Sequence, residues 1–156
     1  GKDVVVMERF DIAELIRGLL ASVHILTEQA GVETVFVQEG PCYVWADEFK
    51  IEEVVTNYLS NALNHVHSGG EIQVSLRQQQ GRIRVGVFNT GSPIPQEDLP
   101  NLWTKFYKVD KARTRAYGGS GIGLSIVKAI MHSHQQHFGV ENREDGVEFW
   151  FMLEMA

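Results

Sequence analysis

Apolar residues recur at helical spacing in three parts of the chain. In the first, Asp11 and Glu14 form a capping-box pattern ahead of a helix that is predicted to end near Gly31. In the second, Asp47 can cap a helix whose apolar positions again repeat every three to four residues. The third helix is predicted over residues 121–134.

Alternation of apolar and polar residues predicts the strands. The clearest pair, 71–79 and 82–90, should form a hairpin around Gly81. Shorter strands are predicted at residues 4–10, 34–38, 42–46, 137–142 and 147–154. One or two short helical turns are expected near 97–106. This order predicts an α+β fold, a two-layer sandwich in which three main helices pack on one mostly antiparallel mixed sheet.

Composition and charge exclude several classes of protein. With 156 residues, 44% hydrophobic and 22% charged, the chain is predicted to form one globular domain over residues 1–156. Its apolar runs fall short of the roughly 18 residues that a membrane-spanning helix needs. Cys42 is the single cysteine, which excludes a disulfide framework. The net charge of −6 argues against a nucleic-acid partner. Because the chain begins Gly1-Lys2, we expect a fragment of a longer protein.

A basic stretch next to glycines suggests a phosphate ligand. Residues 105–115 contain five basic residues and one acid, and a glycine-rich segment follows at 118–123. Glycines let backbone N–H groups approach phosphate oxygens, and a helix N-terminus favours an anion. The segment does not match a Walker A loop, because no Lys follows these glycines until Lys128. It does not match a dinucleotide fingerprint, because Ile126 stands where a third Gly is required.

The second predicted helix places polar side chains on one face. The spacing of Asn57, Asn61, Asn64 and His65 aligns them over about two turns. Amides aligned in this way are costly to bury without partners. An Asn carbonyl oxygen can serve as a ligand for a hard cation such as Mg²⁺, with phosphates and water completing the coordination.

Four short motifs, in order, resemble the N, G1, F and G2 boxes of bacterial sensor histidine kinases. The motifs are Asn57-x-x-x-Asn61-Ala, Asn89-Thr-Gly91, Leu102-Trp-Thr-Lys-Phe106-Tyr107 and Gly119-Ser-Gly121-Ile-Gly123-Leu124. Such kinases belong to the GHKL ATPase superfamily and have the Bergerat fold. The similarity covers roughly residues 4–154, and it implies an ATP-binding and catalytic domain with a flexible ATP lid at about 108–118.

The resemblance also implies roles for individual residues of the second helix. Asn61 matches the Mg²⁺-ligating Asn, and Asn57 matches the Asn that lies beside the phosphates. Asn64 stands where many relatives have a Lys that reaches a phosphate. His65 stands where a Tyr commonly packs near the adenine. Both Asn64 and His65 therefore depart from the commonest pattern.

The remaining implied roles concern the base and the lid. Asn89 stands where an Asp usually accepts a hydrogen bond from the adenine 6-amino group, and Gly91 would let the chain pass close to the base. Lys108 stands where an Arg often contacts the phosphates, so Asn57 and Lys108 are the expected catalytic residues. The full expected nucleotide site comprises Asn57, Asn61, Asn64, His65, Asn89, Gly91, Ile94, Lys108, Gly119, Ser120, Gly121, Ile122, Gly123 and Leu124.

The function implied by the resemblance is transfer of the γ-phosphoryl group of Mg-ATP to a histidine on a separate dimerisation and phosphoacceptor domain. A response regulator would be the downstream partner. The chain lacks a motif like His-Glu-x-x-Arg-Thr-Pro, so it resembles the catalytic domain alone. We expect a cytoplasmic domain of a plasma-membrane sensor kinase, with contact to the membrane only through segments upstream of Gly1.

Two other functional classes stay open. One is a GHKL-type ATPase or serine kinase; the gyrase and chaperone types place a water-activating Glu where this chain has Asn57, which cannot accept a proton. The other is a non-catalytic, ATP-gated interaction module. A further hypothesis concerns Asn89: an amide that can rotate offers either a donor or an acceptor. On that hypothesis the domain discriminates ATP from GTP less sharply than its Asn89→Asp variant.

Overall fold

The computed structural model describes residues 4–104 and 123–156. The helices in this part of the chain are α1 (Ile12–Ser22), α2 (His24–Gln29), α3 (Glu48–His65) and α4 (Gly123–Ser133), with a 3-10 helix at Gln96–Asn101. The strands are β1 (Glu8–Asp11), β2 (Glu33–Phe36), β3 (Tyr43–Ala46), β4 (Glu71–Gln79), β5 (Arg82–Thr90), β6 (Phe138–Arg143) and β7 (Gly146–Met155).

The seven strands form one mixed sheet. Its order is β1-β3-β7-β5-β4-β2, and β6 pairs with β7 beside β3. The pairing of β2 with β4 is parallel, whereas the other pairings are antiparallel. The helices cover one face of this sheet. The predicted fold class, a two-layer α+β sandwich on a mostly antiparallel mixed sheet, is therefore confirmed.

Helix α3 is fixed at its start and along its length. The Asp47 side chain caps it by accepting from the Lys50 amide, and also accepts from the amide of Val6. Burial acts to raise the pKa of Asp47, but these two hydrogen bonds and the charges of Lys50 and His134 outweigh it and lower the pKa. Farther along, the buried Tyr58 hydroxyl donates to the Trp150 carbonyl at 3.0 Å. These contacts hold the polar face of α3 in a fixed position over the sheet.

The first helical segment differs from its prediction. It is not one helix ending near Gly31, because it breaks at Val23 into α1 and α2. The Ser22 hydroxyl donates to the Leu19 carbonyl at 2.7 Å, and the Val23 amide shares that acceptor at 3.2 Å. Such local side-chain bonding competes with helix continuation. The first strand is also shorter than predicted, since β1 begins at Glu8.

The predicted hairpin of β4 and β5 is confirmed, and both strands begin and end where the sequence predicted. Its turn consists of Gln80 and Gly81, with φ of 50° and 79°. Two residues at positive φ match the right-handed twist of the flanking strands. No helix in the described ranges is long and apolar enough to cross a membrane.

Candidate functional site

A cleft of about 230 Å³ opens between α3, α4 and the sheet. Its walls come from α3, from the end of β5 and the loop after it, from α4 and from β7. The lining residues are Asn61, His65, Asn89, Ser92, Pro93, Ile94, Leu102, Leu124, Val147 and Phe149. The structure thus brings together five residues of the expected nucleotide site, which are Asn61, His65, Asn89, Ile94 and Leu124.

The other expected site residues divide into two groups. Asn57, Asn64, Gly91 and Gly123 are described by the structure but do not line the cleft. Lys108, Gly119, Ser120, Gly121 and Ile122 lie outside the described residues, as does the expected lid at 108–118. The part of the site that can be assessed is therefore the contribution of α3, β5, the first turn of α4 and the β6–β7 hairpin.

One end of the cleft, here called the helix end, lies at Asn61, with Asn57 and Gly123 next to it but outside the cleft lining. The Asn57 amide nitrogen donates to the Glu53 carbonyl at 3.0 Å. A Cβ atom on Gly123 would lie 2.8 Å from the Asn57 side-chain oxygen, so α4 begins against that side chain. The amide nitrogen of Asn61 is buried and has no hydrogen-bond partner in the described part of the chain. Such an orphaned group costs free energy in the protein without ligand.

The other end, here called the hairpin end, is lined by Asn89, Ile94 and Val147, with Gly91 and Asn142 next to them outside the lining. Asn89 is only 2% exposed, and its amide nitrogen donates to the Thr90 carbonyl at 3.1 Å. Rotating this amide would place two oxygens against each other. The bond uses one of the two amide hydrogens and holds the amide in one orientation, in which the side-chain oxygen can accept from a ligand. This geometry argues against the hypothesis of a freely rotating Asn89 and favours an acceptor, like the usual Asp.

Gly91 shapes the hairpin end through its backbone. Its φ is 152°, and a Cβ atom there would lie 3.0 Å from the His65 carbonyl oxygen. Its amide donates to the Asp145 carbonyl at 3.1 Å. A residue with a side chain would be strained and crowded at this position. Gly91 thus lets the end of β5 pass close to the end of α3.

Several residues of the site had no local signal in the sequence. Val147 and Phe149 are buried residues of β7. Their apolar character predicted a place in the core but not in the wall of a cleft. Ser92 and Pro93 follow the Asn89-Thr-Gly91 motif in a loop without periodicity. The Asn142 amide bonds the backbone of Ile94, a residue 48 positions away. Only the tertiary structure could bring those two together.

The cleft carries no negative charge of its own. In the described ranges its lining contains no Asp or Glu, although the whole chain has a net charge of −6. Three amide or imidazole side chains (Asn61, His65 and Asn89) and the Ser92 hydroxyl provide its polar groups, and branched or aromatic side chains provide much of the rest. A flat apolar group with polar edges, joined to an anion, suits such a surface.

The family can now be stated. The chain belongs to the histidine kinase-, DNA gyrase B- and HSP90-like ATPases, whose family pattern matches residues 46–156. It is 40% identical to the sensor histidine kinase CusS of Escherichia coli K12 over 128 residues, which are 82% of this chain and 26% of CusS. It is 32% identical to the sensor protein VanSB of Enterococcus faecalis over 98% of this chain and 34% of VanSB.

Solved structures agree with this assignment. The catalytic domain of the histidine kinase ThkA superposes with a TM-score of 0.86 at 28% identity, covering 96% of each chain. The mycobacterial sensor histidine kinase MprB gives a TM-score of 0.80 at 24% identity, covering 97% of this chain and 99% of that one, which shows the shared fold. The chain spans only a quarter to a third of CusS and VanSB. It therefore corresponds to the ATPase-type domain of such kinases.

Proposed function

We propose that the chain binds Mg-ATP in this cleft and transfers the γ-phosphoryl group to a histidine of a separate dimerisation and phosphoacceptor domain. The observation that carries the proposal is the convergence of Asn61, His65, Asn89, Ile94 and Leu124 on one cleft. These residues belong to four separate segments of the chain. Each of the four motifs that resemble histidine kinase boxes contributes a residue to the same surface (Asn61, Asn89, Leu102 and Leu124), and the chain belongs to an ATPase family.

The adenine is assigned to the hairpin end of the cleft. The Asn89 oxygen can accept a hydrogen bond from the 6-amino group, because the amide nitrogen is bonded to Thr90. Ile94 and Leu124 provide apolar surface for the faces of the base. The triphosphate then extends toward the helix end. The glycines of 119–123, of which Gly123 is described by the structure, and the Lys108 side chain are proposed to contact the phosphates.

The helix end fits a magnesium ion. The Asn61 side-chain oxygen is a hard ligand of the type that Mg²⁺ prefers. The orphaned atom is the amide nitrogen of the same side chain, a donor that a phosphate oxygen can meet. Asn61 would hold the ion, with Asn57 beside the phosphates. When bound, Mg²⁺ supplies neutralisation of phosphate charge. Asn57 and Asn61 themselves add no negative charge, so they can lie beside a triphosphate without repelling it.

Phosphoryl transfer is favoured over hydrolysis by the chemistry of α3. Hydrolysis needs a general base to take a proton from water. The residue at the expected place, Asn57, is an amide that donates to the Glu53 carbonyl. In transfer, an imidazole nitrogen of the acceptor forms a bond to the γ-phosphorus while the bond to the bridging oxygen breaks and ADP leaves. The chain then acts by positioning and by electrostatic stabilisation.

A response regulator is proposed as the downstream partner. The histidine kinase ThkA has been solved in complex with the response regulator TrrA, and this chain matches that kinase at 28% identity with a TM-score of 0.82. Its curated relatives CusS and VanSB are sensor proteins much longer than this chain. We therefore place residues 1–156 as a single cytoplasmic domain of a longer, membrane-anchored sensor kinase, with a lid at about 108–118.

Labelling with γ-³²P-ATP tests the proposal. The chain alone should not label itself, whereas mixing it with the phosphoacceptor domain of its own kinase should label that domain at an acid-labile phosphohistidine. Asn61→Asp, which puts a carboxylate beside the triphosphate, should reduce labelling at least tenfold. Asn101→Asp makes the same change on an exposed side chain of the 3-10 helix that does not line the cleft, and should label normally. Release of inorganic phosphate without acceptor labelling would indicate an ATPase instead.

A further inference from the structure

Asn142 lies on the face of the sheet that carries the cleft. The registers of β5 with β7 and of β6 with β7 place Asn89, Val147 and Asn142 side by side across three strands. Directly opposed residues of antiparallel strands project their side chains to the same face. Asn89 and Val147 line the cleft, so Asn142 stands at its rim although it does not line it.

The side chain of Asn142 holds the backbone of Ile94 through two hydrogen bonds. Its oxygen accepts from the Ile94 amide at 2.8 Å, and its nitrogen donates to the Ile94 carbonyl at 2.9 Å. Two residues of neighbouring strands exchange N–H and C=O groups in the same way. Here the Asn142 side-chain amide makes with Ile94 the two bonds that the backbone of a neighbouring strand would make. Among side chains of this size, an amide provides the donor and the acceptor together.

The loop after β5 depends on such tethers. Pairing of β5 with β7 ends at Thr90 and Gly146, and the loop that follows includes Pro93 and Pro95, which have no N–H to donate. The Gly91 amide is bonded to the Asp145 carbonyl, and Ile94 is bonded to Asn142. Both tethers come from the β6–β7 hairpin. The hairpin thereby fixes the loop that presents Ile94 to the cleft.

We infer that Asn142 is a positioning residue for the nucleotide base, acting through Ile94. The inference rests on the proposed function, since it assigns the hairpin end to the adenine. Holding Ile94 in place before the ligand arrives removes the cost of ordering the loop on binding. Loss of the two bonds should therefore weaken contact with the base and leave contact with the phosphates unchanged.

A double-mutant cycle on nucleotide affinity tests this role. In Asn142→Ala, the affinity for Mg-ADP should fall about five- to thirtyfold, whereas the affinity for tripolyphosphate should stay within about twofold. In an Ile94→Ala background, Asn142→Ala should cost less than about threefold, because the two residues act as one unit. Arg17→Ala is the matched control. Its guanidinium donates to the carbonyls of Gln38 and Gly40, so it also removes two bonds to a loop, but away from the cleft.

The outcomes separate this inference from the proposed function. Additive effects of Asn142→Ala and Ile94→Ala, or an equal loss of tripolyphosphate affinity, would overturn the positioning role while leaving the nucleotide site intact. Wild-type affinity in Asn142→Ala would do the same. A wild-type chain that binds no Mg-ADP would overturn both. If Asn142→Ala does not fold, Asn142→Ser, which retains a single hydroxyl, takes its place in the same cycle.

Discussion

The two ends of the cleft differ in how far the protein satisfies its own polar groups. At the hairpin end, the amides of Asn89 and Asn142 both bond to backbone carbonyls, and the Gly91 amide is also paired. At the helix end, the buried amide nitrogen of Asn61 has no partner within the described residues. On the proposed function, the hairpin end is built before the nucleotide binds, and the nucleotide provides the partner that the Asn61 nitrogen lacks among the described residues.

A pair of glycine substitutions should show the largest difference between the ends. A Cβ atom on Gly146 would collide with the Asn89 carbonyl oxygen and lie 2.8 Å from the Phe88 ring, so Gly146→Ala should lower the free energy of unfolding by about 3 kcal/mol. The atom nearest to a Cβ atom on Gly123 is the Asn57 side-chain oxygen at 2.8 Å, which can move, and alanine favours the helix. Gly123→Ala should change the free energy of unfolding by less than about 1 kcal/mol.

Urea denaturation of the two variants measures both values. Far-UV circular dichroism of each variant at zero denaturant confirms that the fold is retained. Equal losses of stability at Gly146 and Gly123 would show that the hairpin end is no more rigid than the helix end.

Replacing the Asn61 side chain should change stability and nucleotide affinity in opposite directions. Asn61→Leu removes a buried amide nitrogen that has no partner among the described residues, so it should raise the free energy of unfolding by about 1 kcal/mol. The same change should lower the affinity for Mg-ATP at least tenfold, because the metal loses its protein ligand. Calorimetric titration and denaturation on the same samples measure the two effects.

The matched substitution at the hairpin end is Asn89→Leu. It removes an amide that is already bonded, so it should lower the free energy of unfolding by about 1–2 kcal/mol. A higher free energy of unfolding in Asn89→Leu, or a lower one in Asn61→Leu, would contradict the claim that the protein satisfies its polar groups at the hairpin end but not at the helix end.

The smallest effect is expected for base selectivity. Because the Asn89 amide is held by the Thr90 carbonyl, wild type and Asn89→Asp should both present an acceptor to the base. Their ratios of ATP to GTP affinity should agree within about threefold. Competition binding with the two nucleotides gives both ratios. A ratio at least tenfold greater in Asn89→Asp would mean that the amide rotates and that the hairpin end adapts to its ligand.

Local patterns predicted the features that depend on local physics. Asp11 and Asp47 cap helices as expected, because an N-cap needs only a side-chain acceptor next to a helical repeat. The Gln80-Gly81 turn follows from the alternation on both sides of it. The α3 residues Asn61 and His65 share the cleft because a helix fixes which of its residues face one side.

Features that depend on one particular side-chain hydrogen bond were not predictable from such patterns. The break at Val23 arises where the Ser22 hydroxyl competes for the Leu19 carbonyl, within an otherwise continuous helical repeat. No periodicity in the sequence predicts the bond from Asn89 to Thr90, so only the structure shows how the amide is oriented. The tether between Asn142 and Ile94 depends on the register of three strands, which the sequence specifies only through the whole fold.

The assignment of the two ends is tested most directly by backbone amide shifts in ¹H–¹⁵N spectra recorded with partial ligands. Adenosine alone should shift the amides of Asn89, Gly91 and Ile94 and leave those of Asn57 and Asn61 in place. Tripolyphosphate with Mg²⁺ should shift Asn57 and Asn61 instead, and Mg-ATP should shift both sets. Adenosine shifts confined to Asn57 and Asn61, or Mg-ATP shifts in neither set, would contradict the account.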